Sequence, residues 1–249
     1  MIDTIKVILT PAALNYTWDI NDLKTRLKPF EKYHRKDFKP IGFIKNISIS
    51  GNNNYLIVEG SLAKYFSGNN LAEFNWKYVK PAIRNLSMDL GLNIERGYIM
   101  RIDIAANFIM NEEVANYFPE LKHLRYFDPV RRKKTTLAFN SDSTQVKFYD
   151  KLAEAKRKLI QDADVESFGN LNLMRYELSL LNRLNQQLKM KRVRAVQLYN
   201  PNFYTILLNH WYGKYQAIEK KSVLVFPPKL KGRTAIEKLM QRHFVESVG

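Results

Sequence analysis

The run Gly97–Met110, GYIMRIDIAANFIM, alternates in steps of two. Met100, Ile102, Ile104, Ala106 and Phe108 fall on one side of an extended chain. Arg101, Asp103, Ala105 and Asn107 fall on the other. The pattern predicts a core strand, and hence a sheet. Packing alone does not require an Arg/Asp/Asn face on such a strand, so that face is either a wet sheet surface or a site. The run NLMRYELSLL repeats the arrangement. Met174, Tyr176, Leu178 and Leu180 point to the core; Arg175, Glu177 and Ser179 point away, again one carboxylate beside one arginine.

Between these runs lies TTLAFNSDSTQVKFYDK, residues 135–151, which reads as two strands around a Ser141-Asp142-Ser143 turn. Gln145, Lys147, Tyr149 and Lys151 share one face, Val146 and Phe148 the other. A phenol set among ammonium groups suits attack on a phosphodiester, with lysine stabilising the phenolate and later the phosphate charge. An ordinary solvated hairpin face has the same pattern. A basic helix, about 152–162, follows.

The remaining elements are read in order. Residues 4–9 form a strand, 19–28 a helix capped by Asp19, and 29–40 a loop. Residues 43–50 and 54–61 form a hairpin around Gly51-Asn52-Asn53, with Tyr55, Ile57, Glu59 and Ser61 on one face. A helix runs from about Leu71 to Leu90 with a kink at Pro81, and a short one over 111–118 starts at Asn111. Arg131-Arg132-Lys133-Lys134 is a phosphate-contacting loop or a solvated charge run. From 182 onward the chain turns helical, basic and aromatic: the run KMKRVR, a helix over 201–221, a Pro227-Pro228 break and a helix over 233–246. These helices are a DNA-binding or origin-reading portion, or simply cover the sheet.

Charge bounds the partner. The chain has 40 Lys+Arg against 24 Asp+Glu, net +16, with 14 Tyr, 14 Phe and 3 Trp in 249 residues. That combination suits a nucleic acid whose bases can stack on rings. Cysteine is absent, which excludes thiolate catalysis and cysteine zinc sites, and the four histidines have no metal-ligand spacing. No apolar run of spanning length and no signal pattern is present, so a cytoplasmic protein without membrane partners is expected.

Asp103, Glu177 and Glu59, if their strands adjoin, could hold a hard divalent cation beside Tyr149. Several of these segments carry a likeness. SLAKYFSGNN, RIDIAANF, VKFYDK and MRYELSL, together with the opening MIDTIKV, resemble, in order over residues 1–181, elements of the filamentous-phage replication initiators (the gene II/X family) and related plasmid rolling-circle initiators. The resemblance implies a site-specific nickase and rejoining enzyme that starts rolling-circle replication. Tyr149 would be the nucleophile, forming a 5′-phosphotyrosyl linkage, and Lys151 its charge partner. Asp103 and Glu177, by matching strand positions, would be ligands for Mg2+ or Mn2+, with Glu59 joining them on the residue pattern alone. Lys64 and Asn70 match an element read as DNA contact or turn geometry. Arg101, Lys147, Arg175 and the run Arg131, Arg132, Lys133, Lys134 complete the expected DNA contacts.

Partners would be single-stranded or supercoiled origin DNA and a host helicase and polymerase. The expected fold is α+β: a central, antiparallel-rich sheet with helices on one face, as in rolling-circle nucleases. It comprises a nicking domain over 1–181 and a helical basic extension over 182–249. Two features depart from the pattern: no His-hydrophobe-His pair exists, and the chain is shorter than the phage members. The same chemistry serves relaxases and transposases, and a non-catalytic single-stranded-DNA-binding protein is the other reading. Tyr126 and Tyr176 are rival tyrosines.

Overall fold

The computed structural model describes residues 2–29, 41–71, 74–128, 130–157 and 171–221. The strands in chain order are β1 Ile2–Leu9, β2 Gly42–Ile44, β3 Ile47–Gly51, β4 Leu56–Ser61, β5 Tyr98–Met110 and β6 Leu121–Leu124. They continue as β7 Arg131–Lys133, β8 Thr136–Asn140, β9 Thr144–Asp150, β10 Asn172–Leu180 and β11 Ile218–Lys220. Antiparallel pairing among strands, with helices between them, makes this the expected α+β fold. The chain forms two compact units, one within Met1–Ile104 and Ser179–Leu207, the other within Ala105–Leu178 and Leu208–Gly249. β5 gives its first half to the former and its second half to the latter.

In the first unit the strand order is β2-β3-β4-β1-β5. β1 alternates as its sequence predicts: Ile5, Val7 and Leu9 are buried, while Thr4, Lys6 and Ile8 are partly open. The helix Leu62–Ser67 packs on β1 and is capped by Ser61, whose Oγ accepts the Lys64 N–H at 3.2 Å. The helix Val79–Leu90 buries Val79, Ala82, Ile83, Leu86 and Leu90, one stripe at helical spacing. Burying each of its larger aliphatic side chains contributes about 2 kcal/mol.

Several expectations are corrected here. The helix does not run from Leu71 and Pro81 does not kink it: the α-helix starts at Val79, so Pro81 sits in the first turn, where its missing N–H would have had no intrahelical acceptor. Residues 43–50 are not one strand, because Lys45 adopts φ 52° and the chain reverses at Lys45-Asn46 to pair Ile44 with Ile47. Residues 111–118 are replaced by a 3-10 stretch, Val114–Glu120, that starts after Glu113 rather than at Asn111. Met100 is not core but 47% exposed. Lys6 pairs with Arg101 and Val7 with Ile99, so β5 carries one extra residue there. That bulge turns Met100 outward and lets both Ile99 and Ile102 stay buried.

The β3–β4 turn depends on Gly51, which holds φ +130°; a Cβ there would lie 2.2 Å from the Tyr55 carbonyl oxygen. Gly51→Ala should therefore cost about 2 kcal/mol, read as a lowered urea midpoint at unchanged slope. An unshifted midpoint would contradict this account of the turn.

In the second unit the order is β5-β10-β9-β8-β7, with β6 and β11 forming a separate antiparallel pair. The hairpin predicted around Ser141-Asp142-Ser143 is present, with Phe139 opposite Val146 and Thr136 opposite Tyr149. Its core is aromatic. Phe148 stacks on Tyr176 (centroids 4.7 Å apart), Tyr176 meets Trp211 at 4.7 Å, and Trp211 stacks on Phe108 at 6.3 Å. Trp211 comes from the helix Pro201–Gln216. That helix is shorter than the expected 201–221, because residues 218–220 leave it to pair with β6. The Pro227-Pro228 break, the 233–246 helix, most of the 29–40 loop and the end of the 152–162 helix lie outside the described residues.

Candidate active site

Cross-strand register assembles the first polar cluster. Ser48 lies opposite Glu59, Glu59 opposite Lys6, and Lys6 opposite Arg101, giving one polar row across four strands. Lys6 Nζ is 3.1 Å from Glu59 Oε2, and Arg101 Nη1 is 3.5 Å from Glu59 Oε1. Arg101 then turns along its own strand and donates from Nε to Asp103 Oδ1 at 2.8 Å and from Nη2 to Oδ2 at 2.7 Å. Asp103 is only 2% exposed, so its part of this face is closed to water rather than wet. The bidentate guanidinium makes the buried carboxylate tolerable.

The second cluster is built on β9 and β10. Alternation turns Lys147 and Tyr149 to one side of β9 and Phe148 into the aromatic core. The Tyr149 hydroxyl donates to Glu177 Oε2 at 3.2 Å. Lys147 Nζ lies 2.5 Å from Glu177 Oε1. Arg175 Nε is 3.8 Å from Glu177 Oε2, and Arg175 Nη1 donates to Asn107 Oδ1 at 3.0 Å. Glu177 and Arg175 are buried, while Tyr149 and Lys147 are half-buried.

Lys151 is placed differently from its expected position on the strand face. β9 ends at Asp150, and Lys151 opens the helix Lys151–Arg157. It is 1% exposed, its Nζ 2.6 Å from Glu154 Oε2 and 5.9 Å from the centre of the Tyr149 ring.

The SLAKYFSGNN element forms a cap and a turn. Lys64 is half-buried, Gly68 ends the short helix at φ +83°, and Asn70 is buried with Nδ2 3.4 Å from each Asp3 carboxylate oxygen. Ser61 Oγ donates to Asp3 Oδ1 at 2.6 Å, so Asp3 and Lys6 are polar anchors on β1 that the motif reading did not pick out. The alternation of TIKVIL already carried the signal for Lys6. The basic run 131–134 is not a loop: Arg131 and its neighbours form β7, paired with β8. Arg132 is exposed but donates to the Leu121 carbonyl at 2.9 Å, and Lys133 and Lys134 are exposed.

Of the rival tyrosines, Tyr176 is buried, donates its hydroxyl to the Trp211 carbonyl at 2.7 Å, and is pushed well above the ordinary phenol range by burial. Tyr126 is 81% exposed at φ 67°, with the Arg125 guanidinium over its ring at 4.6 Å.

As arranged, the carboxylates expected to bind metal do not fit a resident divalent cation. Glu59 is held by Lys6 and Arg101, Asp103 by Arg101, and Glu177 by Lys147, so each already has a positive partner. Among the described residues no three His, Cys, Asp or Glu side chains group as a metal site.

A family model for the N-terminal part of a phage replication-associated protein, the gene II protein, matches residues 21–199. The chain belongs to this family. Membership gives it a role in phage-type DNA replication initiation and, in general terms, a DNA-cleaving and DNA-binding character. The matched residues 21–199 include Tyr149, Lys147, Glu177, Arg175, Asp103, Arg101 and Glu59, and leave Lys6 and Asp3 outside the match. No curated protein and no solved structure matches the chain. Among the described residues no helix is long and apolar enough to cross a membrane.

Proposed function

We propose that the chain nicks one DNA strand at an origin by transesterification, with Tyr149 as nucleophile and Glu177 as its general base. The observation that carries this reading is the Tyr149 hydroxyl donating to a carboxylate on the neighbouring strand. The phenol oxygen attacks phosphorus, its proton passes to Glu177, and the bond from phosphorus to the 3′ oxygen breaks. The leaving oxygen takes a proton from solvent and becomes a free 3′-hydroxyl, while the 5′-phosphate stays on Tyr149. One phosphoester replaces another, so no energy source is consumed and the reverse reaction rejoins the strand. Lys147, next to Glu177, supplies positive charge where charge grows on the phosphoryl oxygens. Lys151 contributes from 5.9 Å beneath the ring, positioning rather than contacting the phosphate. Arg101, Arg132, Lys133 and Lys134 are proposed strand contacts, and Lys64 and Asn70 are proposed to hold the turn that supports β1.

We assign the chemistry to residues 1–181. Host helicase and polymerase would use the exposed 3′ end. A divalent ion, Mg2+ or Mn2+, is proposed on the family likeness alone, and none of the steps above uses it.

Glu177→Gln tests the base. With a 3′-labelled strand from the protein's own replicon, adduct formation on a denaturing gel should slow by about 10²–10⁴-fold while strand affinity is kept. A wild-type rate would remove Glu177 from the reaction.

A further inference from the structure

The residues Lys189–Arg194, KMKRVR, are used by nothing described so far, and they lead into a built arrangement. Ile99 donates its N–H to the Val193 carbonyl at 2.8 Å, and Ala195 donates to the Gly97 carbonyl at 2.9 Å. These bonds lay residues 193–195 along the start of β5, with Tyr98 opposite Arg194. The Gln197 side chain also accepts from the Arg194 N–H, at 2.6 Å. Alternation does the rest: Val193 and Ala195 are buried, so Arg192 and Arg194 both turn outward.

Their guanidinium carbons lie 5.2 and 5.4 Å from the centre of the Tyr98 ring. Arg192 Nη1 is 3.3 Å and Arg194 Nη2 3.4 Å from the same phenol oxygen. Those two hydrogen bonds lower the Tyr98 phenol from its ordinary value. Neither arginine makes an ion pair among the described residues. Two like charges therefore converge on one neutral oxygen at the end of one ring, their backbone fixed by these bonds, with no carboxylate paired to either among the described residues. Elsewhere in this unit arginines such as Arg101 and Arg84 carry carboxylate partners.

We propose that Tyr98, Arg192 and Arg194 form a clamp for the phosphate backbone of single-stranded DNA, made from none of the residues assigned to the reaction. Guanidinium forks match phosphate oxygens two at a time. The proposal rests on the reading of the chain as an enzyme acting on a DNA strand, which supplies the ligand.

The test compares wild type with Arg192→Gln/Arg194→Gln and Arg192→Lys/Arg194→Lys, using fluorescence anisotropy with a single-stranded oligonucleotide and an abasic strand of equal length. Removing two phosphate contacts should lower the slope of log K against log salt by about 1.4 on both strands, and weaken low-salt binding roughly tenfold. The lysine pair should keep the slope. Adduct formation at saturating strand should stay at the wild-type level. If wild type binds and cleaves but the glutamine pair matches its slope and affinity, the clamp is wrong and the proposed function stands. If wild type binds no strand, the proposed function falls and the clamp with it. If the glutamine pair loses only inorganic phosphate binding, the site serves a free anion and the proposal is overturned.

Discussion

Tyr149→Phe is expected to fold, to bind single-stranded DNA and to form no covalent adduct. The substitution deletes one oxygen and keeps the ring, so the pairing of residue 149 with Thr136 and the burial of Phe148 behind it are undisturbed. What is lost is the atom that donates to Glu177 and that, in the proposed reaction, attacks phosphorus. The same gel assay reads the result, and mass spectrometry of the wild-type adduct identifies the linked residue. Tyr176 cannot replace it without leaving an aromatic stack and the Trp211 carbonyl. A DNA-linked peptide containing Tyr98 or Tyr126, or a Tyr149→Phe variant that still forms adduct, would overturn the assignment of the nucleophile.

Asp103→Ala should be the most destabilising change among the polar residues of the first unit. It removes a buried carboxylate that receives two hydrogen bonds from one guanidinium. Arg101 is then left with Glu59 at 3.5 Å. Stranding one member of a buried pair costs about 3–5 kcal/mol, and the surviving Glu59 contact favours the lower end. For a protein of this size that is a fall in melting temperature of roughly 10 °C. Asp103→Asn keeps the volume and one acceptor and should lose about half as much. Equal melting of the alanine variant and wild type would show that Arg101 does not depend on Asp103.

The β9 hairpin was legible because one of its faces packs on rings and the other does not: strict alternation of Val146, Lys147, Phe148 and Tyr149 leaves little freedom. β10 was legible on its core side, through Tyr176, Leu178 and Leu180. Its polar side was misjudged in kind, since Arg175, Glu177 and Ser179 are buried too. Charges at period two mark a face, but they do not say whether other residues cover it. Met100 was missed because a bulge changes parity without leaving a glycine or proline to mark it. Lys151 was missed for a related reason: the alternating run ends one residue earlier than its composition, at a strand-to-helix junction. The Tyr98 arrangement joins residues almost a hundred positions apart. Only the R-V-R spacing of 192–194 hinted that two arginines share a side.

The helix Pro201–Gln216 begins beyond the last residue matched by the family model, yet its Trp211 carbonyl and ring close off Tyr176, on which Phe148 lies. Part of the packing behind the strand that carries Tyr149 is thus supplied by residues the family pattern does not include. Relatives that share the five motifs but differ after residue 199 would have to brace that strand with other side chains, and a fragment cut where the likeness stops would keep every group of the proposed reaction while losing part of the wall behind Tyr149.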